Sequence, residues 1–593
     1  MTASRPRISF GVLLGLAWAA SAALLLAQRW PEMSQRLFDT DDAMRLVQVR
    51  EFLAGHGWFD LHETRLNPPD GYDTHWSRLV DAGLAALFVT FRPFADPEFA
   101  ERLMRAAWPL LWLLAAMTGA AALAWRIAGR NAALAALVIS ACAFPAFQHF
   151  MPGRIDHHNV QIALAVAVVA AAAWSDRARH AAALAGMLTG LAAAVGLESL
   201  PFLVLSGAAL ALRFAWVGAP ESTIQWRAHA LADFSLALVA SMLIAFLVNV
   251  APEHWTRPAC DAMAINWLLG AAVAGIGLWL AARVVPRTES GMRIAAIIAA
   301  VGIALFAFVA VEPRCLNGPF ALTDGVIKAI WLDHVDETEP LTSFVRGFPL
   351  VAAWMCAFPL VALVAVGILA RDGALRRDFG FLLAAAAFLV AVAATFGANK
   401  IYSYALWFGI PMVAALTCRL IASSGWRANM ARLAIALILA PTTVTAAAFT
   451  AIQTLATEGP AKPGSRERMA CTRNEAYAAL AALPAGLVAT EINYGPFVLA
   501  LTPHSVIAAP YHRMSAGMVS AHTIVIAPPD EARRVVDRHG VTYVAICGRH
   551  PFTGIDPPAG SLWAELHADR PPPWLLPVSR AREGDFAVYR VQH

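Results

Sequence analysis

Five short stretches carry residues able to do chemistry. FDTDDAMRLVQVREFL (38–53) holds Asp39, Asp41 and Asp42 at the start of a helical pattern. PGRIDHHNV (152–160) holds Asp156, His157 and His158, and VGLES places Glu198 at the end of an apolar run. WLDHVDETEPLTSF (331–344) contains Glu337, and NKIYSY puts Lys400 just before another apolar run. Carboxylates with one imidazole form the donor set of a hard divalent cation such as Mg2+ or Mn2+. Asp42, Asp156, His158 and Glu337 are the candidate ligands, drawn from three separate loops that only folding can bring together. Such an ion acts as a Lewis acid on a phosphate leaving group, and a lysine beside it shares the load. Each residue also has a plainer reading. Acids ahead of a helix cap it and complement its dipole. Loop histidines are often merely solvated, and Glu198 and Lys400 can snorkel to a membrane surface.

The elements that must hold these residues are membrane helices. Of 593 residues, 59% are hydrophobic and only 15% charged, so the chain reads as a polytopic α-helical membrane protein. The net charge of +4 is too small to signal a nucleic-acid partner. About thirteen apolar runs qualify as transmembrane candidates. They lie near 8–28, 106–125, 132–149, 160–174, 181–197, 200–214, 230–250, 263–283, 292–311, 348–370, 379–397, 403–420 and 433–452. The first is too long and continuous for a signal peptide and is expected to be retained. Every second connection carries an arginine pair or triplet, such as Arg126 with Arg130, or Arg371 with Arg376 and Arg377. The positive-inside rule places those connections in the cytoplasm. The acidic, histidine-bearing connections then face outward, with long loops at 29–105 and 312–347.

Starting inside, this count also puts the tail outside, so the expected domains are 1–454 in the membrane and 455–593 beyond it. In the tail, GLVAT (486–490), HSVIAA (504–509) and VTYVAIC (541–547) read as strands separated by helical RNEAYAALAAL and DEARRVVDRHG. A small extracytoplasmic α/β domain is expected. Of the seven cysteines, Cys142, Cys356 and Cys418 fall in spans and read as packing residues. Cys260 and Cys315 occupy successive outward loops, and Cys471 and Cys547 share the tail. In an oxidising compartment these are expected to form two disulfides.

In their order the motifs resemble the catalytic subunit of oligosaccharyltransferases, particularly the archaeal branch, within the GT-C class of membrane glycosyltransferases. That family has an aspartate in the first outward loop ahead of a Glu-aromatic-Leu signature; here Asp42 precedes Glu51-Phe52-Leu53. Its YPPG…THWGPL loop resembles NPPDGYDTHWSRLVD (67–81), with His75, Trp76 and Arg78. GRIDHHNV matches the archaeal Asp-His-His form of the second acidic motif. HVDETEPLTSF places Glu337 and Pro340 on the glutamate and proline of SVSEHQPTTW. Lys400 occupies the place of a basic residue, usually arginine, before a late span. Two departures stand out. Gln48 stands where the family has an arginine, and the tail's WWDYG motif is reduced to Asn493-Tyr494-Gly495 within ATEINYGPFVLALTP (489–503).

The resemblance implies a GT-C fold and a sugar or oligosaccharide donor carried on a polyprenyl phosphate or pyrophosphate. It implies Asp42, Asp156 and Glu337 as catalytic residues. Asp42, Asp156, His158 and Glu337 would be the metal-site residues. Lys400, Glu198, His75, Trp76, Arg78, Asn493 and Tyr494 would contact substrates. The acceptor, whether protein, glycan or lipid, stays open because the sequon-reading motif is incomplete. The expected location is a bacterial inner membrane with the site facing the periplasm. Two alternatives remain from the residues alone. One is a monosaccharide transferase acting on envelope lipid or polysaccharide. The other is a transporter or flippase with Asp156, Glu198 and Lys400 along its path.

Overall fold

Helix-forming runs rich in alanine and leucine set out the bundle. The computed structural model describes residues 9–216, 220–453, 470–547, 557–579 and 586–592. The first helices are α1 (Phe10–Arg29), α2 (Thr40–Leu53), α3 (Arg78–Phe91) and α4 (Pro97–Ala141). They are followed by α5 (His158–Trp174), α6 (Arg179–Val195), α7 (Leu200–Ala215), α8 (Glu221–Asn249), α9 (Ile265–Val284) and α10 (Ser290–Val311). Two short helices, α11 (Gly325–Ile330) and α12 (Leu341–Gly347), lie in the 312–347 loop. The bundle closes with α13 (Pro349–Leu369), α14 (Phe379–Thr395), α15 (Tyr402–Leu420), α16 (Trp426–Ile438) and α17 (Pro441–Gln453).

A helix lies at each apolar run expected from the sequence, but their lengths differ. Among the described residues, seven are long and apolar enough to cross a membrane, or eight if bent α16–α17 counts as one. That pair turns by 49° where Pro441 cannot extend the backbone ladder. The runs near 106–125 and 132–149 share α4, which is broken at Ala128 and Gly129. Helices α5, α6, α7 and α14 are apolar but only 16 or 17 residues long. Ile298, Val301, Leu305 and Phe306 on α10 are exposed, as a lipid-facing surface requires. By contrast, nearly all of α15 is buried at the centre of the bundle. The chain is an integral, multi-pass membrane protein. Helices α6 and α8 approach closely because Gly190 leaves room for Ser241, where a β-carbon would collide.

The tail folds around a five-stranded sheet of order β4-β3-β5-β7-β6. Its strands are β3 (Leu487–Ala489), β4 (Ser505–Val506), β5 (Tyr543–Cys547), β6 (Leu575–Ser579) and β7 (Phe586–Val591). Strand β3 runs parallel to β4 and β5, whereas β7 pairs antiparallel with β5 and β6. A separate hairpin in the first long loop joins β1 (His62–Glu63) to β2 (Tyr72–Asp73). The three strands expected from sequence are β3, β4 and β5; the final antiparallel pair was not anticipated. The expected boundary at 454/455 lies outside the described residues.

The sheet is not a free-standing unit. Leu66 continues it beyond β4: Asn67 N–H donates to Val506 O at 2.7 Å, and Val506 N–H to Arg65 O at 2.8 Å. Met44, Leu46, Leu66 and Trp76 share one buried core with Val498, Val506 and Tyr511. Disulfides join Cys260 to Cys315 and Cys471 to Cys547, tying the loops and the tail internally.

One arginine of the positive-inside set turns out to be buried. Arg126, with its side chain 0% exposed, donates through Nη1 to Asp378 at 3.0 Å and through Nη2 to Asp176. Its Nε also reaches Ala173 O at 3.0 Å. Asp378 caps α14 at the same time, accepting from Phe381 N–H at 2.9 Å. At the far end of α5 from His158, two acids hold Arg126 between α4, α5 and α14. Replacing one member leaves an uncompensated charge, which typically costs about 3–5 kcal/mol. Arg126→Ala should therefore lower the thermal unfolding temperature of the purified protein markedly, and Arg371→Ala, at an exposed position, should not. Equal melts for the two variants would show the network to be dispensable.

Candidate active site

Asp42 is the fixed point of the polar cluster. It lies in the first turn of α2, 1% exposed, and its Oδ1 accepts backbone N–H groups from Ile155 at 2.7 Å and Asp156 at 3.2 Å. One carboxylate thus ties the first long loop to the loop before α5. The second loop comes this close because Gly153 passes over the Phe38 ring, where a β-carbon would collide; its φ of +99° also suits glycine. Asn159 fastens the loop from behind, its Nδ2 donating to His149 O at 3.2 Å and Arg154 O at 3.1 Å. Asp156 then caps α5 by accepting His158 N–H at 2.9 Å.

Arg154 enters the space among these acids. Its Nη1 lies 2.7 Å from Asp39 Oδ2 and 3.4 Å from Asp42 Oδ2, and its Nη2 binds Asp156 Oδ2. Burial alone would neutralise all of them, so the position of this one guanidinium decides which stay charged. Burial opposes it, yet Arg154 with the neighbouring imidazoles holds Asp156 well below the usual carboxylate range. Against the same burial, Arg154 keeps Asp39 below its ordinary value. Asp42 is less well matched: burial, only partly countered by Arg154, pushes it up to about 7. Burial and the neighbouring acids raise Asp41, and burial raises Glu337.

The second half of the cluster centres on Glu198. His158 Nδ1 lies 3.1 Å from Glu198 Oε2, and Lys400 Nζ lies 3.3 Å from the same oxygen. Tyr404 OH donates to Oε1 at 2.9 Å. The turn Asp336–Thr338 packs near Lys400, and Asn399 N–H donates to Glu339 O at 2.9 Å. This contact brings Glu337 into the electrostatic reach of His158, Asp39 and Lys400. Among the described residues, Asp39, Asp41, Asp42, Asp156, Glu198 and Glu337 lie around the bases Arg154, Lys400 and His158, with the His149 and His157 rings alongside. Even with all three bases charged, the acids are in excess. Asp42 Oδ2 is buried without a hydrogen bond. An oxygen-rich pocket in which carboxyl groups outnumber bases fits a divalent cation.

The expected ligands are brought to one region but not into contact as a set. Among the described residues, the trio whose ligand atoms all lie within 4.8 Å of one another is His75, Asp261 and His512. Asp42, Asp156, His158 and Glu337 are held wider, because Arg154 separates the aspartates and Glu198 draws the His158 ring toward itself. Asp39, read from sequence as a bland cap, does cap α2 through Oδ1 but also belongs to the Arg154 group.

Some expected substrate contacts are corrected by the packing. Arg78 is 3% exposed and fully used: it pairs with Asp81 at 3.1 Å and donates to Trp58 O at 3.1 Å and to Asp60 O. Tyr494 is 0% exposed, its ring edge-on to Phe586 at 5.4 Å, so it belongs to the tail's core; Asn493 beside it is half-buried. Trp76 is sandwiched by Arg45, 4.5 Å above its ring, and by the His157 and Tyr511 rings. Arg45 pairs with Asp81 at 2.6 Å and reaches Gln48 at 3.4 Å, supplying a buried arginine one turn before the position where the sequence has glutamine. A cavity of about 1010 Å³ opens beside Trp76, walled by Trp58, His75, Asn249, Asp261 and Arg513. Arg154 and Arg45 were the residues sequence reasoning missed. Each stood inside a quoted motif, and an unpaired arginine among several acids was the available signal.

No family model matches the chain, and no curated protein sequence matches it. Solved structures do. The chain is similar to the oligosaccharyltransferase AglB of the archaeon Archaeoglobus fulgidus in complex with an inhibitory peptide and a dolichol-phosphate. The TM-score is 0.64 at 16% identity, covering 90% of this chain and 69% of that one. It is similar to the Archaeoglobus fulgidus enzyme in complex with Zn and sulfate, with a TM-score of 0.61 at 16% identity over 90% and 67% of the two chains. A third structure carries a tethered acceptor peptide containing the NVT sequon; there the TM-score is 0.63 at 15% identity, over 90% and 68%. The chain has the GT-C fold of these membrane glycosyltransferases.

Because Glu198 compensates both Lys400 and His158, its loss should be felt in the fold before any substrate is present. Glu198→Ala should cost about 3–5 kcal/mol and lower the melting temperature. Glu198→Gln keeps an acceptor for Tyr404 and should melt between the alanine variant and the wild type. If all three melt together, the carboxylate is not the hub of these contacts.

Proposed function

We propose that the chain is a metal-dependent membrane glycosyltransferase of oligosaccharyltransferase type. It transfers a sugar or oligosaccharide from a polyprenyl-phosphate or polyprenyl-pyrophosphate donor to an acceptor on the extracytoplasmic face. The observation carrying this reading is the convergence of Asp42, Asp156, His158, Glu337 and Lys400 at one end of a GT-C bundle, with acid in excess of base. The neighbouring enzyme's complexes with dolichol-phosphate and with an acceptor peptide support the donor and acceptor classes. The site would face the periplasm of a bacterial inner membrane, in agreement with the arginine bias of the opposite connections.

In this reading Asp42, Asp156 and His158 hold Mg2+ or Mn2+, with Glu337 contributing to the ion or to the acceptor. Such an ion would supply Lewis-acid stabilisation of the charge developing on a departing phosphate. Asp42 is anchored by two backbone amides and Asp156 by His158 N–H, so the approach of these two carboxylates to an ion turns on the displacement of Arg154 from between them. Arg154 must yield its place among the carboxylates. Its fork of donors is then free to meet a phosphate in the bidentate geometry that guanidinium favours. Lys400, whose side chain is 26% exposed, would meet the lipid phosphate. Transfer then rests on alignment and on stabilising the leaving group, more than on a strong base.

Burial of Tyr494 in the tail's core weighs toward an acceptor other than an asparagine sequon. Envelope lipid or polysaccharide is the alternative acceptor class. Asp42→Ala and His158→Ala are each expected to lower transfer by about 100-fold or more while the protein still reaches the membrane. Glu337→Ala should behave alike, and Asp73→Ala should be silent. Full complementation of a deletion strain by the first three variants would defeat the proposal. Mass spectrometry of that strain's glycopeptides, glycolipids and envelope polysaccharide identifies the acceptor.

A further inference from the structure

Outside the carboxylate cluster, three chain segments converge on a second group of donor atoms. His75 comes from the loop between β2 and α3, Asp261 from the loop between α8 and α9, and His512 from the tail. One ligand atom from each lies within 4.8 Å of the other two. His512 Nε2 is 2.6 Å from Asp261 Oδ2, and the His75 and His512 rings stand 4.7 Å apart. The side chains of Asp261 and His512 are 11% and 10% exposed.

The plainer account is an ion pair. Arg513 grips Asp261 with Nε at 2.9 Å and Nη2 at 2.7 Å, and His512 completes the carboxylate's partners. That account leaves His75 unexplained: its Nδ1 is buried and has no hydrogen-bond partner. A buried, unpaired ring nitrogen on a residue clustered with a second imidazole and a carboxylate calls for a ligand. Protons are a poor answer for two adjacent rings, because charging one opposes charging the other.

We propose that His75, Asp261 and His512 form a second metal site, taking Zn2+ or a similar borderline-soft divalent ion. Two imidazoles and one carboxylate are a zinc-type donor set, whereas the acid-rich cluster around Asp42 suits harder ions. Metal–ligand bonds of about 2.0–2.1 Å put tetrahedral ligand atoms about 3.4 Å apart, so rotation of the two rings suffices to close the set. Arg513 remains on Asp261 as the outer partner that orients a ligating carboxylate. Cys260, next to Asp261, is anchored by its disulfide to Cys315, which fixes the backbone from which that ligand springs. All three residues line the 1010 Å³ cavity, so an ion held by them would lie at its wall. The ion clamps the tail to the two loops that wall this cavity.

The test uses the full-length protein in nanodiscs, stripped with a chelator, then loaded with ZnCl2 and desalted before elemental analysis. Wild type should retain about one equivalent of Zn2+ per chain more than His75→Gln or His512→Gln, a loss that follows from removing one of three ligands. Asp42→Ala should keep that equivalent, which separates this site from the proposed catalytic one. Zn2+ should also raise the melting temperature of wild type and of Asp42→Ala but not of His512→Gln, whose chelator-treated melt checks its fold. Equal Zn2+ retention in wild type, His75→Gln and His512→Gln overturns the proposal. So does loss of all bound Zn2+ in Asp42→Ala.

Discussion

Arg154 is the charge on which the site depends. Three carboxylates, Asp39, Asp42 and Asp156, are taken from water at one point, and this guanidinium is within ion-pair distance of each. Desolvating several like charges together is prohibitive without such a partner. The partner sits on the same loop as Asp156, while the other two acids begin α2. The ion pairs and the amide contacts to Asp42 therefore dock α2 on α5, and the first long loop is carried with it. From that docking follow the burial of Arg45 and Trp76 and the seat of the tail over them.

Much of the helical architecture was legible because its signals are local. Apolar runs marked the helices and short strand-like runs marked β3, β4 and β5, whereas the bend at Pro441 falls inside a run read as one uninterrupted span. Cysteine placement by loop likewise anticipated the pairs that the structure forms. What escaped was non-local compensation. Arg126 looked like an ordinary basic anchor because Asp378, its partner, lies 252 residues away. Arg78 looked available to a substrate because Trp58, Asp60 and Asp81 meet it only once the loop has folded. Tyr494 sits in a motif-like string, yet a period of two or 3.6 residues does not reveal that Phe586 will cover it.

The tail illustrates the same division. Its parallel strands announced themselves, but β6 and β7 are separated from β5 by a long connection, and the two-residue pairing at Leu66 belongs to another part of the chain. That pairing covers the edge of β4, which would otherwise offer unpaired backbone groups. The tail is thus bound to the membrane portion by main-chain hydrogen bonds, by a shared apolar core and by the ion pair between Arg513 and Asp261.

Glu198 Oε2 serves two basic groups at once, His158 at 3.1 Å and Lys400 at 3.3 Å. An anion that draws Lys400 away leaves that oxygen to His158 alone, and the imidazole is then held more tightly. Whatever recruits His158 away returns Glu198 to Lys400 in the same measure. Occupancy at one side of this carboxylate therefore alters affinity at the other, reciprocally and without movement of any helix. The two halves of the cluster are thermodynamically linked through one shared oxygen.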